Sequence, residues 1–353
     1  MKQAILVATF LISGVLAAAV AAPALVQSDP SILPPPIDVA HAPAPLFDDP
    51  ITHGGTDPFV IWNPVKSQWF MYYTQRRSTL ANPNGVDWVH GSAIAIAASP
   101  DGINWSYLGT CKGDHDLSDP LAAKGAGPEP GVTWWAPCFL REGNQFHMWV
   151  VLVDGVYTSW TGKRNILHFT SDDGITWKYL STAALSSDRV IDPTVYKVGE
   201  LWYMVYKDEA KGSHTYVSQS PDLENWTNAH QADPDGSQEA PFVFRWKDKW
   251  WLMVDALGGR GLRIYTSENG IDGYKFVTTI LGGRDGKRPH DGVVGHHPGI
   301  VIQGPPDHQQ CLVYYFTESS RHAYMQIAEL EMGADGKLIC NRNKFAPTTQ
   351  PTK

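Results

Sequence analysis

Apolar and polar positions in this chain alternate over short distances and hardly anywhere recur at helical spacing. In "QWFMYYT" (68–74) Trp69, Met71 and Tyr73 face one way and Phe70 and Tyr72 the other, the two-residue period of a strand covered on both faces. Comparable runs follow as "FHMWVVL" at 146, "LWYMVYK" at 201, "KWWLMVD" at 249 and "CLVYYFT" at 311. A turn signature comes after each of the first four: "SPDGINW" at 99, "SDDGITW" at 171, "SPDLENW" at 220 and the degenerate "SENGIDGYKF" at 267. Asp-Gly closes a tight hairpin, and the Trp opens the next strand. Ahead of each run stands a proline with a short apolar stretch: "DPFVI" at 57, "WAPCFL" at 135, "DPTVY" at 192, "EAPFVF" at 239 and "HPGIVI" at 297. Proline is tolerated at a strand's first residue, where no ladder hydrogen bond is lost.

One unit therefore repeats five times. Self-similar four-stranded units predict a β-propeller. The expected fold is all-β, a five-bladed β-propeller of four-stranded antiparallel blades over residues 51–340. Five units in about 300 folded residues give roughly 60 per blade, longer than the ~40–45 of a WD40 blade. A seven-bladed wheel would leave two blades without a signal, and a two-sheet sandwich would not keep five repeats in phase.

The two ends differ in composition. Met1-Lys2, the apolar "AILVATFLISGVLAAAV" and the small residues "AVA" at 19–21 predict a signal peptide over 1–21. An uncleaved anchor is the competing reading. No later apolar run approaches the ~20 residues that span a bilayer. The expected location is thus secreted or periplasmic, with no membrane contact after cleavage. Residues 22–50 hold eight prolines and predict a linker or an arm laid over the domain; residues 341–353 predict a frayed tail. Export permits disulfides. The four cysteines, Cys111, Cys138, Cys311 and Cys340, allow three pairings, and both two bridges and four buried thiols stay open. A net charge of -8 with no Lys/Arg cluster excludes a nucleic-acid partner. Fourteen Trp suit a large core and sugar-stacking surfaces.

The inner strands of a propeller line its central channel, and their starting ends converge on one face. By the repeat, those starts are Asp57, Trp135, Asp192, Glu239 and His297, one per blade. An Asp before Pro is also an ordinary turn residue, so each acid alone reads as punctuation. Three acids at five equivalent starts read as one site. Glycosidic cleavage needs a protonated carboxyl to assist the leaving oxygen and an ionised one to activate water or attack carbon. A third negative charge keeps the acid protonated by like-charge repulsion.

From about residue 50 to 335 these motifs resemble the five-bladed β-propeller glycoside hydrolases, chiefly family 43 and its relatives in families 32, 62 and 117. The resemblance implies an enzyme acting on a carbohydrate, with Asp57 as general base, Asp192 as pKa modulator and Glu239 as general acid. It also implies "WAP" at Trp135 and a His in the last blade near a central metal ion, calcium or similar, with no organic cofactor. In "VVGHHPGIV" His296 and His297 compete for that place, and the proline register favours His297. Departures are "EAP" where "EGP" is commoner, and "HGGTDP" before the first acid. His53, Arg76, His90, Lys207, Asp208, His214, Arg288 and Asp291 are further candidates, beside Trp135, for sugar hydroxyls or a carboxylated substrate. A salt bridge is an equal reading for each charged one alone.

The implied reaction is inverting hydrolysis of α-L-arabinofuranosides or β-xylosides, with anhydrogalactosides also open. The insert at 109–135 is expected to wall the pocket and favour exo attack. Three alternatives remain. A retaining β-fructosidase-like enzyme matches "RVIDP" but lacks "NDPNG". A non-catalytic carbohydrate-binding propeller would keep Trp88, Trp135 and Trp160 without needing acids. Phosphorolysis would need a basic pocket, for which Arg288 and His290 are candidates.

Overall fold

The computed structural model describes residues 34–346; the segment expected to be a signal peptide (1–21), the start of the proline-rich arm (22–33) and residues 347–353 lie outside the described residues. Blade one holds β1 (Gly55–Asn63), β2 (Gln68–Gln75), β3 (Ala93–Ser99) and β4 (Ser106–Thr110). A two-residue β5 (Lys112–Gly113) precedes blade two: β6 (Thr133–Glu142), β7 (Gln145–Val153), β8 (Arg164–Ser171) and β9 (Thr176–Thr182). Blade three is β10 (Val190–Val198), β11 (Leu201–Asp208), β12 (His214–Ser220) and β13 (Thr227–Gln231). Blade four is β14 (Gln238–Trp246), β15 (Lys249–Ala256), β16 (Leu262–Ser267) and β17 (Lys275–Ile280). Blade five is β18 (His296–Gln303), β19 (Gln310–Ser319), β20 (His322–Met332) and β21 (Leu338–Cys340).

Each blade is an antiparallel meander. The inner strands β1, β6, β10, β14 and β18 each touch the next, and β18 returns to β1. That contact closes a five-bladed propeller. Blade two departs from the expected four strands, because β5 adds to its outer edge in parallel with β9. No helix among the described residues is long and apolar enough to cross a membrane.

The repeated turn explains the hairpin between third and fourth strands. Ser171 Oγ accepts the N–H of Asp173 and Gly174, and Asp173 Oδ1 accepts those of Ile175 and Thr176. Side chains thus satisfy the backbone donors the turn exposes. Gly174 has φ 74°, and an added Cβ would lie 2.7 Å from the Tyr72 hydroxyl, which donates to its carbonyl. In the third copy Leu223 takes the same left-handed conformation, at φ 69°.

Aromatic residues of adjoining blades fill the space between them. Trp177, buried, packs on Phe139 at 5.4 Å and Tyr72 at 6.2 Å. The described part of the arm covers the junction of blades one and five, where Ile37, Val39, Leu46 and Phe47 are buried. Arg288 pins it by donating to the carbonyls of Ala42 and Pro43. The tail docks further than expected: Phe345 packs against the same cluster, and Arg342 pairs with Asp291 at 3.1 Å. All four cysteines are free thiols.

Candidate active site

All five inner strands break register at one place. The shifts fall between Thr56 and Phe59, Trp135 and Cys138, Ile191 and Thr194, Glu239 and Phe242, and His296 and Gly299. The residue ahead of each proline has positive φ: Asp57 56°, Ala136 45°, Asp192 57°, Ala240 52° and His297 46°. Proline has no N–H to lose from the ladder, so it is where the strand can bulge, and a bulge re-aims a side chain. This corrects the equivalence drawn from sequence. The matching positions are Asp57, Ala136, Asp192, Ala240 and His297, because the proline, not the nearest polar residue, sets the register. Trp135 and Glu239 stand one place earlier, paired with Val151 and Asp255. The Glu239 side chain is 34% exposed, that of Asp57 only 8%.

Asp57, Asp192, Glu239 and His297 line one cavity of about 610 Å³, within the range of small-ligand sites. Phe59 meets Phe139 at 5.7 Å and Phe242 at 5.8 Å. Blades one and four are not neighbours, so these rings meet only across the axis. They plug the channel and make the site a cup.

The electrostatics separate the acids. His297 Nδ1 lies 3.2 Å and Arg76 Nη2 3.8 Å from Asp57 Oδ1. Burial pushes the Asp57 carboxyl up, but the His297 and Arg76 charges override it and hold the group well below the usual carboxylate range. For His297, burial disfavours the cation, yet Asp57, then Asp192 and Glu239, raise its pKa to about 9. Asp192 goes the other way. Burial raises it to about 6, with Glu239 adding and His297 and Lys207 opposing. Asp192 Oδ2 accepts the N–H of Ala240 at 2.9 Å. Lys207, nearly buried, donates to Glu239 Oε2 at 3.1 Å and sits 3.5 Å from Glu209.

Trp135, Arg76 and Lys207 line the cavity; His53, His90, Asp208, His214, Arg288 and Asp291 are not among its lining residues. Asp208 follows Lys207 on β11 and therefore points to the opposite face, where it accepts from Ser186 and Ser187. His90 is fully buried against Trp135, 4.9 Å between rings, and meets the Thr133 hydroxyl at 3.3 Å. His214 pairs with Asp233, His53 with Asp48, and Asp291 with Arg342. Arg288 serves backbone carbonyls. The insert at 109–135 does not wall the cup beyond Trp135 itself. Its Leu117, Ala123 and Val132 join the core around blades one and two, while Val89, Trp160, Ser213 and Leu257 line the cup.

Sequence reading missed Glu209, Asp255, Glu318 and Phe316, all on the cavity wall, and set His296 aside. Asp255 Oδ2 accepts from His296 Nδ1 at 2.9 Å and from the His297 N–H at 3.2 Å. Asp255 ends "KWWLMVD", Lys207 ends "LWYMVYK" and Glu318 lies near the end of β19. A second strand runs back to the rim its inner strand started from, so polar residues at its end were the available signal.

His297 Nδ1 lies 3.2 Å from Asp57 Oδ1, and the one group of three closely spaced His, Cys or carboxylate donors among the described residues lies elsewhere.

The model of the family 43-related glycosyl hydrolases, described as "Probable glycosyl hydrolase domain", matches residues 45–279. The chain belongs to this family. It is a glycoside hydrolase of the family 43-related group, and blade five with His297 lies beyond the matched residues. No curated protein matches the chain. Among solved structures, a thermostable family-43 glycoside hydrolase aligns with TM-score 0.62 at 19% identity, over 87% of this chain and 98% of that one. A family-43 β-1,3-galactosidase with galactodeoxynojirimycin aligns with TM-score 0.60 at 13% identity, over 81% and 93%. A family-43 β-xylosidase/α-arabinofuranosidase from a compost microbial metagenome, in complex with xylotriose, aligns with TM-score 0.59 at 14% identity, over 82% and 95%. At these identities the likeness establishes the fold.

Proposed function

We propose that this family 43-related hydrolase removes a terminal neutral sugar from a poly- or oligosaccharide with inversion of the anomeric centre. Asp57 is the general base. His297 and Arg76 keep it ionised, so it can take a proton from water over the whole working range. Glu239, more open to solvent and on the neighbouring side of Asp192, protonates the leaving oxygen. Asp192 positions Glu239 through the Ala240 N–H. The observation that carries this reading is that a buried Asp57, charge-paired with His297 and Arg76, shares one pocket with the more exposed Glu239.

Two features favour a neutral terminal sugar. Phe59, Phe139 and Phe242 crowd the axis between the inner strands, and attack at a chain end is carried over from the family resemblance. Arg76 already faces Asp57 and Glu318, and Lys207 faces Glu239 and Glu209, so neither is a free counter-ion for a carboxylate. The same pairing, with Arg288 committed to backbone carbonyls, favours hydrolysis over phosphorolysis. Trp160, 57% exposed beside Trp135 at 6.2 Å, offers an apolar face for a sugar ring. The family resemblance points to α-L-arabinofuranosides and β-xylosides first and to anhydrogalactosides next. We further propose export through residues 1–21, which N-terminal sequencing of the mature protein tests.

A panel of aryl glycosides, followed by proton NMR of the first-formed anomer, tests the reaction. Inversion is expected; a first product of retained configuration would assign a covalent intermediate instead.

A further inference from the structure

The ring of blades closes without a shared strand. Blade five is built wholly from residues 296–340, and the seam with blade one is bridged by residues 46–54. Phe47 bridges Met325 antiparallel, and Gly54 bridges Ala323 in parallel. The Leu46 N–H reaches the Met325 carbonyl at 2.9 Å, and the Ala323 N–H reaches that of His53 at 2.9 Å. These bonds hold three side chains together, Asp48 and His53 on one side of the seam and His322 on the other.

His53 Nδ1 lies 3.0 Å from Asp48 Oδ1, and His322 Nε2 lies 3.0 Å from both Asp48 oxygens. All three donors fall within 4.8 Å of one another, the single such group among the described residues. We propose that Asp48, His53 and His322 form a binding site for a zinc-type divalent cation that fastens the propeller seam.

The donor chemistry selects the ion. Two imidazoles with one carboxylate suit zinc and similar first-row metals, whereas calcium and magnesium take oxygen ligands. Metal bonds of ~2.0–2.1 Å at tetrahedral angles separate neighbouring ligand atoms by about 3.3 Å; the two Asp48–His spacings of 3.0 Å need only a small expansion, and the two imidazole nitrogens lie within 4.8 Å of one another. The side chains are 32%, 44% and 32% exposed for Asp48, His53 and His322, which leaves a side for water to complete the coordination. Each imidazole binds as its neutral form, with the proton on the other ring nitrogen.

The site is built before an ion arrives. His322 stacks on Tyr324 at 4.1 Å and 13°, and Tyr324 on His290 at 3.9 Å and 16°. His53 packs on the other side of His322 at 4.4 Å. Asp49 locks the turn that carries Asp48 and His53: it accepts the N–H of Ile51 and Thr52, the Tyr73 hydroxyl and the Gln75 amide. Rings fixed by packing lose little freedom on ligation. The three residues do not line the catalytic cup, so the site is independent of the reaction proposed above.

The test uses the full mature protein, freed of any affinity tag and stripped with chelator, titrated with zinc chloride by calorimetry. One zinc per chain is expected, with a rise of a few degrees in Tm at saturation. His322→Ala and His53→Ala should each weaken binding by at least about tenfold and lose the zinc-dependent rise. Asp48→Asn, which keeps the side chain's shape, should do the same, while His308→Ala on an exposed loop should not. Melting of each variant in chelator separates loss of the site from loss of the fold. No stoichiometric zinc binding by the wild-type chain, or binding retained by both His53→Ala and His322→Ala, overturns the proposal.

Discussion

Asp192 of blade three holds the backbone of blade four, its Oδ2 accepting the Ala240 N–H at 2.9 Å. Every bulge frees a backbone donor, and a buried donor needs a partner. Thr74 supplies one to Ala136 at 2.8 Å, and Asp255 supplies one to His297 at 3.2 Å. The bond to Ala240 therefore fixes the residue next to Glu239. It also makes Asp192 readable by two substitutions with different consequences.

Asp192→Ala orphans the Ala240 N–H and should cost about 1–3 kcal/mol of stability. Asp192→Asn keeps an acceptor and removes a carboxylate that burial pushes up to about 6. A raised acid loses stability as pH climbs from its unfolded value through the folded one. At pH 8 Asp192→Asn should thus be at least as stable as wild type in urea melts, yet at least about tenfold slower on aryl glycosides.

His297 gives a second pH signature. Its pKa is raised to about 9, so its contribution is fully present below the unfolded value of about 6.5 and is lost as pH rises through 9. Urea midpoints should fall between pH 6.5 and 9 in wild type, and His297→Asn should flatten that slope. Asp57 has the opposite sign. Its depressed value stabilises above the unfolded pKa, and this is lost only in strong acid.

Trp160 should affect binding alone. It is exposed on the cup wall, so Trp160→Ala should raise KM severalfold while Tm stays within about 2 °C, as for a surface substitution. A matching fall in kcat with unchanged KM would remove Trp160 from the sugar platform.

The first glycine of "HGGTDP" has a steric role. A Cβ on Gly54 would lie 2.2 Å from the Arg76 carbonyl oxygen and 2.6 Å from Ser78 Oγ, and Gly54 accepts the Arg76 N–H at 2.9 Å. Gly54→Ala should therefore shift Arg76 away from Asp57, costing about 1–3 kcal/mol and lowering kcat. Differential melting with steady-state kinetics checks both effects.

Blade number and strand order were legible because "DP", "AP" and "HP" mark bulges and the Ser–Asp hairpins mark the outer turns. Both are local, and local chemistry survives in sequence. The one-residue offset of Glu239 was not legible, since it depends on which residue the proline places at positive φ. The ends of the second strands were read as aromatic runs, which hid Asp255 and Glu318. Asp208, His214, Arg288 and Asp291 looked like sugar contacts because charge shows in sequence and its partner does not. The insert at 109–135 was long enough for a wall, but Leu117 and Val132 gave it a hydrophobic reason to fold onto blade two.

The division of labour between Asp57 and Glu239 is tested most directly by turnover of two aryl glycosides, one with a good leaving group and one with a poor one. Glu239→Gln should lose about 10²–10⁴-fold on the poor leaving group and far less on the good one, while Asp57→Asn should abolish both. Equal losses on both substrates for Glu239→Gln, or substantial turnover by Asp57→Asn, would contradict the assignment.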